Sequence, residues 1–430
     1  MVRRILPVSS GKGGVGKTTF AVNFALALSR AAPTLLVDLD TGTSSVRTAL
    51  PVPVRHDLYH FHKKGVPLAD CITRLGAEHD PEGRFADFGF IAGPRHYIEE
   101  LADPGEAFRR RIAAEISRLP ADYVVLDLRA GLDGRVLDFL PYTNSGILVF
   151  TPQHPAATLA AADVVKAILF RSLRILFRPG SAFYREAGLA GQQALLGDLL
   201  GRAEDAYDDS VPNLDGFLLE LGAALGSHPI LGVLADTLES FRVHYVLNMF
   251  NGVEESYEAA MVPFVASLAE QVSARLHLSQ LGWIVFDEKL HEANASGFPI
   301  VLDRRAAAPA EALAPGRVEA ELLALEATVR GPRRPPPPRA GRASEARRRE
   351  PFDLPSAGDA MAGQLEALKA MYSGRRGDTA RENFAYLAYR ALDRMAPHTA
   401  PSEFGQTTLA TADQLLAWFL ARQRARAAGG

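Results

Sequence analysis

The residues best suited to chemistry lie close together in the stretch Gly11-Lys12-Gly13-Gly14-Val15-Gly16-Lys17-Thr18-Thr19. Glycines let backbone N–H groups approach an oxyanion without an intervening Cβ, and a lysine adds a point charge. A neighbouring hydroxyl offers a ligand to a hard divalent cation. From Gly11 to Thr18 the stretch matches G-x-x-x-x-G-K-[ST], in which the lysine reaches the β- and γ-phosphates of a nucleotide and the hydroxyl holds Mg²⁺. Gly11, Gly13, Gly14, Val15, Gly16, Lys17, Thr18 and Thr19 are therefore expected to cradle phosphate. Such a loop must sit between a strand and a helix. A short, mostly apolar run at 5–8 precedes it and an apolar-periodic segment at 20–28 follows, so a helix N-terminus adds its positive end.

Carboxylates stand at two strand ends. Residues 34–37 read as a buried parallel strand that ends in Asp38-Leu39-Asp40, and residues 123–126 as another that ends in Asp127. The C-terminal ends of parallel strands open into the crevice where α/β sheets bind ligands. Asp127 can hold the hydration shell of Mg²⁺ while Thr18 binds the ion directly. One of Asp38 and Asp40 could instead cap a turn at Thr41-Gly42. The segment Phe88-Gly89-Phe90-Ile91 adds to the sheet, residues 146–150 and 243–248 are further strands, and a helix is expected at about 156–170. Strand and helix alternate, which predicts an α/β fold: a mostly parallel sheet flanked by helices.

With Lys12 the loop also reads K-G-G-x-G-K-[ST], which resembles the deviant Walker A motif of the MinD/ParA family of P-loop ATPases, closest in pattern to its MinD/FlhG branch. The resemblance implies ATP and Mg²⁺ as cofactors and a homodimer that sandwiches two ATP molecules, with Lys12 reaching across to the partner's nucleotide. It implies that Asp38 belongs to the Mg²⁺ shell and that Asp40 orients the attacking water. Leu128-Arg129-Ala130-Gly131 resembles the second switch, with Gly131 offering its N–H to the γ-phosphate; Arg129 departs from the pattern. Thr151-Pro152-Gln153-His154-Pro155 is similar to a T-P-E-P segment near the nucleotide, so His154 is read as structural. Asn248 and Asp287 fall in the V-L-N and G-x-I-P-x-D segments that lie against the base, with Val285 in place of the usual proline. The likeness extends to about residue 305.

The family pattern breaks at about 171–241, where Leu195, Leu196, Leu199 and Leu200 share a helical face and strand patterning is lacking, so a helical insertion is expected, more a partner surface than a catalytic element. Residues 331–355 shift to proline and arginine, including Arg347-Arg348-Arg349, and read as a linker. The ATPase domain is thus set at 1–330 and a helical C-terminal domain at 356–430. In the latter, Phe384, Leu387, Ala388, Ala391, Leu392 and Met395 form one stripe. A last helix carries Ala412, Leu415, Leu416 and Phe419 on one face and Arg422, Arg424 and Arg426 at its end. It is expected to pack on the Phe384 stripe; transient membrane contact is the second reading, and DNA binding through Arg347–Arg349 a weaker one.

The chain has 430 residues, 47% hydrophobic and 23% charged, with a net charge of −3, which is ordinary for a globular protein and argues against a globally basic nucleic-acid binder. Cys71 is the sole cysteine, so disulfides and Cys₄ metal sites within one chain are excluded, and the resemblance, in which iron–sulfur carriers need cysteine ligands that bridge two subunits, nearly excludes that role. His56, His60 and His62 lack partners at ligand spacing and are read as surface histidines. No apolar run approaches the ~18 residues of a membrane span. A cytoplasmic protein, peripheral at a membrane or cell pole, is expected. The leading function is an ATP-hydrolysing, dimerising switch that controls placement or assembly of a cellular structure through protein partners. The alternatives are a nucleotide-binding scaffold with little turnover and an ATP-using metabolic enzyme on the same scaffold.

Overall fold

A computed structural model describes residues 4–40, 44–50, 52–205, 207–303, 357–375, 377–394 and 412–429. The Thr41-Gly42 turn, the 331–355 linker with its arginine run, and Met395 lie outside the described residues. Seven strands form one sheet: β1 Arg4–Ser9, β2 Thr34–Asp38, β3 Phe88–Ile91, β4 Tyr123–Asp127, β5 Asn144–Phe150, β6 Arg242–Phe250 and β7 His277–Val285. Their order is β3-β2-β4-β1-β5-β6-β7, and every paired neighbour is parallel. Parallel neighbours need long crossovers, which the chain supplies as helices on both faces. The longer ones are α1 Lys17–Ser29, α2 Glu106–Ile116, α3 Pro155–Leu176, α4 Gln193–Glu204, α5 Leu214–Leu225, α6 Pro229–Ser240, α7 Val262–Gln271, α8 Glu288–Ala295, α9 Ala357–Arg375, α10 Ala380–Arg394 and α11 Ala412–Gly429.

The strands are apolar on both faces because both are covered. In β4, Tyr123 and Val125 join a core with Phe20 and Phe24 of α1 and Phe384 of α10, whereas Val124 and Leu126 join the opposite core with α2, α3 and the helices between 182 and 240. Between 177 and 241 the described residues form a short helix, Ala182–Glu186, and α4, α5 and α6. The helix after β5 is longer than the sequence suggests and carries the chain straight into this helical group.

The open edge of β7 is closed by side chains rather than by another strand. Val285 donates its N–H to Asn383 Oδ1 (3.0 Å), and Arg390 and Arg394 donate to the Gln280 carbonyl (2.8 and 3.2 Å). An edge with unpaired backbone groups invites pairing with another chain, and α10 removes that opportunity. Gly282 makes the close approach possible: a Cβ there would meet Leu387 at 2.9 Å.

The three C-terminal helices are spread over the body. Helix α10 packs along α1 and β7, with Phe384 and Phe20 ring centroids 6.2 Å apart. Helix α9 packs on α7. Helix α11 packs on α6 and α3, with Leu415, Phe419 and Leu420 buried in the core of the insertion side. Its polar ends are tied down too: Gln423 donates to the Ala187 carbonyl, Arg424 pairs with Glu186, and Arg426 with Asp236. The last helix therefore docks through its apolar face, but on the insertion rather than on the Phe384 stripe, because α1 already covers that stripe. Phe419→Ala is expected to cost about 3–5 kcal/mol in urea unfolding, whereas Leu159→Ala, at a site 47% exposed, stays within about 0.5 kcal/mol.

Candidate nucleotide site

The ends of β1, β2 and β4 bring together what the sequence separates. Asp38 and Asp127 are register neighbours on adjacent strands, and both are fully buried. Asp127 accepts one hydrogen bond from Lys17 Nζ and one from Thr18 Oγ1 (2.7 Å), so the first turn of α1 is fastened to the end of β4 through one carboxylate. Asp38 accepts from Ser44 Oγ (2.8 Å), from the Asp40 N–H (3.1 Å) and from the Gly93 N–H (3.3 Å). Burial, and then the neighbouring charge of Asp127, push the Asp38 carboxyl up to about 7. Two buried carboxylates sharing one lysine leave an excess of negative charge. Together with the Thr18 hydroxyl they make an all-oxygen donor set suited to Mg²⁺. The residues present thus fit that ion.

The loop itself wraps the start of α1. Gly14 and Gly16 have φ of 81°, in the left-handed region that glycine adopts without strain. The Asn248 side chain, at the end of β6, donates to the Val15 carbonyl (2.8 Å), and a Cβ on Gly16 would meet that amide at 2.3 Å. Gly11 is just as constrained on the other side, because its Cβ would lie 2.1 Å from the Ala160 carbonyl oxygen of α3. Sequence spacing predicts a phosphate cradle at these glycines and is blind to this second demand, the packing of the loop's first residue on a helix some 150 positions away. Lys12, Gly13 and Gly14 are exposed at the mouth. Thr19 lends its carbonyl to Asn23.

Other expected residues are placed as follows. The Gly131 N–H donates to the Ser10 carbonyl (3.1 Å), so meeting a γ-phosphate requires that bond to open. Arg129 is exposed beside it, and Asp40 is half-buried at the end of β2. His154 is exposed at the N-cap of α3, ahead of Pro155 in the first turn. Asp287 caps α8 through the Lys289 N–H (2.9 Å) and also accepts from the Ala380 N–H (3.1 Å), which ties the start of α10 to the end of β7. This double cap has no signal in the sequence, since residues 287 and 380 are far apart in the chain. His60 closes a capping box with Asp57 at the short helix Leu58–Lys63.

A glycine-rich loop at the end of β1, a lysine and a hydroxyl converging on a strand-end carboxylate, and a seven-stranded parallel sheet are the features of a P-loop nucleotide-binding fold. Residues 6–300 match the CobQ/CobB/MinD/ParA nucleotide binding domain, and the chain belongs to that family. It is 30% identical over 171 residues to the chloroplastic septum site-determining protein minD homolog of Arabidopsis thaliana, covering 39% of this chain and 50% of that one. It is 31% identical over 161 residues to the iron–sulfur cluster carrier protein of Bacillus subtilis, covering 36% and 42%. The chain thus spans about half the length, or less, of these curated relatives. Among solved structures, MinD of Pyrococcus horikoshii complexed with Mg-ADP aligns over 75% of this chain and 97% of that one, at 18% identity and a TM-score of 0.42.

The Asp38 carboxyl gives a pH signature. Its value in the folded chain lies above the ordinary 3.8, so the native state holds a proton that the unfolded chain has released. The burden on stability therefore grows from about pH 4 to about 7 and levels off above. Asp38→Asn, which cannot ionise, is expected to gain in melting temperature over wild type along the same rise and to hold a constant lead above pH 7. A lead that does not change between pH 4 and 8 would contradict the buried-pair reading.

Proposed function

We propose that this protein is an ATP-dependent molecular switch that dimerises with ATP, is reset by hydrolysis, and controls the placement or assembly of a cellular structure through protein partners. The observation that carries the reading is the joint hold of Lys17 and Thr18 on Asp127, with a second lysine, Lys12, exposed in the same loop. Gly11, Gly13, Gly14, Val15, Gly16, Lys17, Thr18 and Thr19 would hold the triphosphate; Thr18, Asp38 and Asp127 would hold Mg²⁺. That ion, when bound, offsets the charge that develops between the β- and γ-phosphates. Lys17 exchanges Asp127 for phosphate oxygens, Asp40 orients the attacking water, and Gly131 turns its N–H to the γ-phosphate. Asn248 and Asp287, at the ends of neighbouring strands, would meet the base.

The dimer reading is supported by the exposed rim of the loop. Lys12 and Arg129 share it with Leu132 and Leu159, two apolar side chains left in solvent (37% and 47%). Partners would engage the helical insertion at 171–241 or the exposed faces of the C-terminal helices, which pack on the body. No helix among the described residues is long and apolar enough to cross a membrane, and a cytoplasmic protein with peripheral attachment at most is part of the proposal. An iron–sulfur carrier role, the activity in the name of the Bacillus subtilis relative, finds no support in Cys71: it is buried, and burial pushes its thiol up to about 11. A scaffold with little turnover is the second reading, favoured by the Gly131 N–H already bound to Ser10 and by Arg129 in the second switch.

Light scattering with ATP and Mg²⁺ tests the switch. Wild type should dimerise reversibly, Asp40→Ala should remain trapped as a dimer, and Lys12→Ala should bind ATP as a monomer. A Lys12 variant that dimerises like wild type would refute the trans role. Lys17→Ala should lose the nucleotide-dependent gain in stability, which for wild type at a hundred times Kd is about 2.7 kcal/mol.

A further inference from the structure

An arginine stands without a partner at the mouth of the nucleotide site. Arg129 is exposed two residues beyond Asp127, and among the described residues its guanidinium makes no hydrogen bond or ion pair. The buried carboxylates nearby are held by other groups: Asp127 by Lys17 and Thr18, Asp38 by Ser44 and two backbone N–H groups. The backbone sets Arg129 against the root of the phosphate loop. The Leu128 N–H donates to the Val8 carbonyl and the Gly131 N–H to the Ser10 carbonyl, both at 3.1 Å, so the chain between them runs beside the residues that lead into Gly11.

Strand geometry sets the side of the chain on which Arg129 leaves it. Asp127 meets the first turn of α1, whereas Leu128, still in step with β1, is buried in the opposite core with α2 and α3. Alternation returns Arg129 to the face of Asp127, Lys17 and Thr18. The run from Leu128 to Gly131 then holds one residue more than the run from Val8 to Ser10 beside it. An extra residue at a strand end bows the chain and re-aims its side chains, a device common beside active sites. Arg129 thus stands between the carboxylate that would face Mg²⁺ and the glycine that would face the γ-phosphate. Lys12 would serve the partner's nucleotide, which leaves Lys17 as the loop's own cation on the phosphates, with Asp38, Asp40 and Asp127 close by. Phosphoryl transfer spreads charge over the γ-phosphate oxygens, and a guanidinium that meets them in the transition state is worth about 10³–10⁵ in kcat.

We infer that Arg129 is a catalytic residue that acts in cis: its guanidinium turns onto the γ-phosphate of the ATP held by its own loop and stabilises the transition state of hydrolysis. The inference rests on the ATPase reading. In that step the water oxygen bonds to the γ-phosphorus as the bond from phosphorus to the β,γ-bridging oxygen breaks. The electron pair of that bond leaves with ADP, and one water proton passes to a phosphate oxygen, so ATP and water give ADP and dihydrogen phosphate. Arg129 gives up no proton, because a guanidinium stays charged; it donates hydrogen bonds to two γ oxygens in the fork geometry that suits phosphate. The assignment in cis follows from the backbone, which holds residues 128–131 to Val8 and Ser10 of the same chain.

The test compares the full chain with Arg129→Ala and Arg129→Lys, by isothermal titration and by phosphate release. With Mg²⁺, Arg129→Ala should bind ADP within about threefold of wild type but lose about a hundredfold or more for ADP with aluminium fluoride, which mimics the transferring phosphoryl group. Its kcat should fall about a thousandfold with KM little changed, and Arg129→Lys, which keeps the charge without the fork, should recover only part of the loss. Equal losses for ADP and for ADP with aluminium fluoride would mark a general role in binding and overturn the inference, as would a kcat unchanged or raised in Arg129→Ala. A mixture of Arg129→Ala and Asp40→Ala chains should regain no turnover; recovery would overturn the assignment in cis, because the arginine would then come from the partner. A wild type that binds ATP, turns none over and binds ADP with aluminium fluoride no more tightly than ADP would overturn the ATPase reading, and this inference with it.

Discussion

Everything at the nucleotide end of this molecule depends on one buried carboxylate. Asp127 ends a strand that is apolar on both faces, so its charge is tolerated only because Lys17 and Thr18 come down on it from the first turn of α1. That pairing sets the height of the glycine loop over the sheet. It also places beside it Asp38, which the fold can bury only by holding its proton more tightly than in water. Lys17 thus lies on the carboxylate that, in the proposed function, would take part in holding Mg²⁺. In the proposed function a cation held by Thr18, Asp38 and Asp127 would offset the carboxylates, and Lys17 would be free to turn to the phosphates.

The same loop is braced from outside the site. Gly11 lies backbone to backbone on α3, and α3 runs for 22 residues from the rim of the loop into the helices of the insertion, where α11 also packs. Asn248 fastens the other side of the loop to β6. A rearrangement of the loop on nucleotide binding is thus felt by α3 directly, and α3 is in contact with α4, α7 and α11. This is a physical route by which the state of the site could reach surfaces available to partners; two discrete positions of α3 would be needed to make it a switch.

Much of this was legible in the sequence, for reasons that are local. Glycines at fixed spacing, a lysine, a hydroxyl and apolar runs ending in aspartate are short-range patterns, and they located the loop, β1, β2 and β4 and the carboxylates at their ends. The longer span of α3 and the capping by Asp287 of two helices at once were not legible, because each depends on contacts between distant segments. The same holds for α10: its stripe announced an amphipathic helix, but the polar residues between, Asn383 and Arg390, gave no sign that they would serve the backbone of the edge strand β7. The last helix shows the limit most clearly. Its apolar face and terminal arginines suit a membrane surface as well as a protein groove, and only the fold shows Phe419 and Leu415 buried in the insertion side, with Arg424 and Arg426 on Glu186 and Asp236.

The central claim, that the Lys17 and Asp127 constellation serves turnover of ATP, is tested most directly by steady-state release of phosphate from ATP with Mg²⁺. Wild type should pass through many turnovers per chain, and Asp40→Ala should bind ATP yet release almost none. A wild type that binds ATP but releases no more phosphate than Asp40→Ala would contradict the account and leave a nucleotide-binding scaffold in its place.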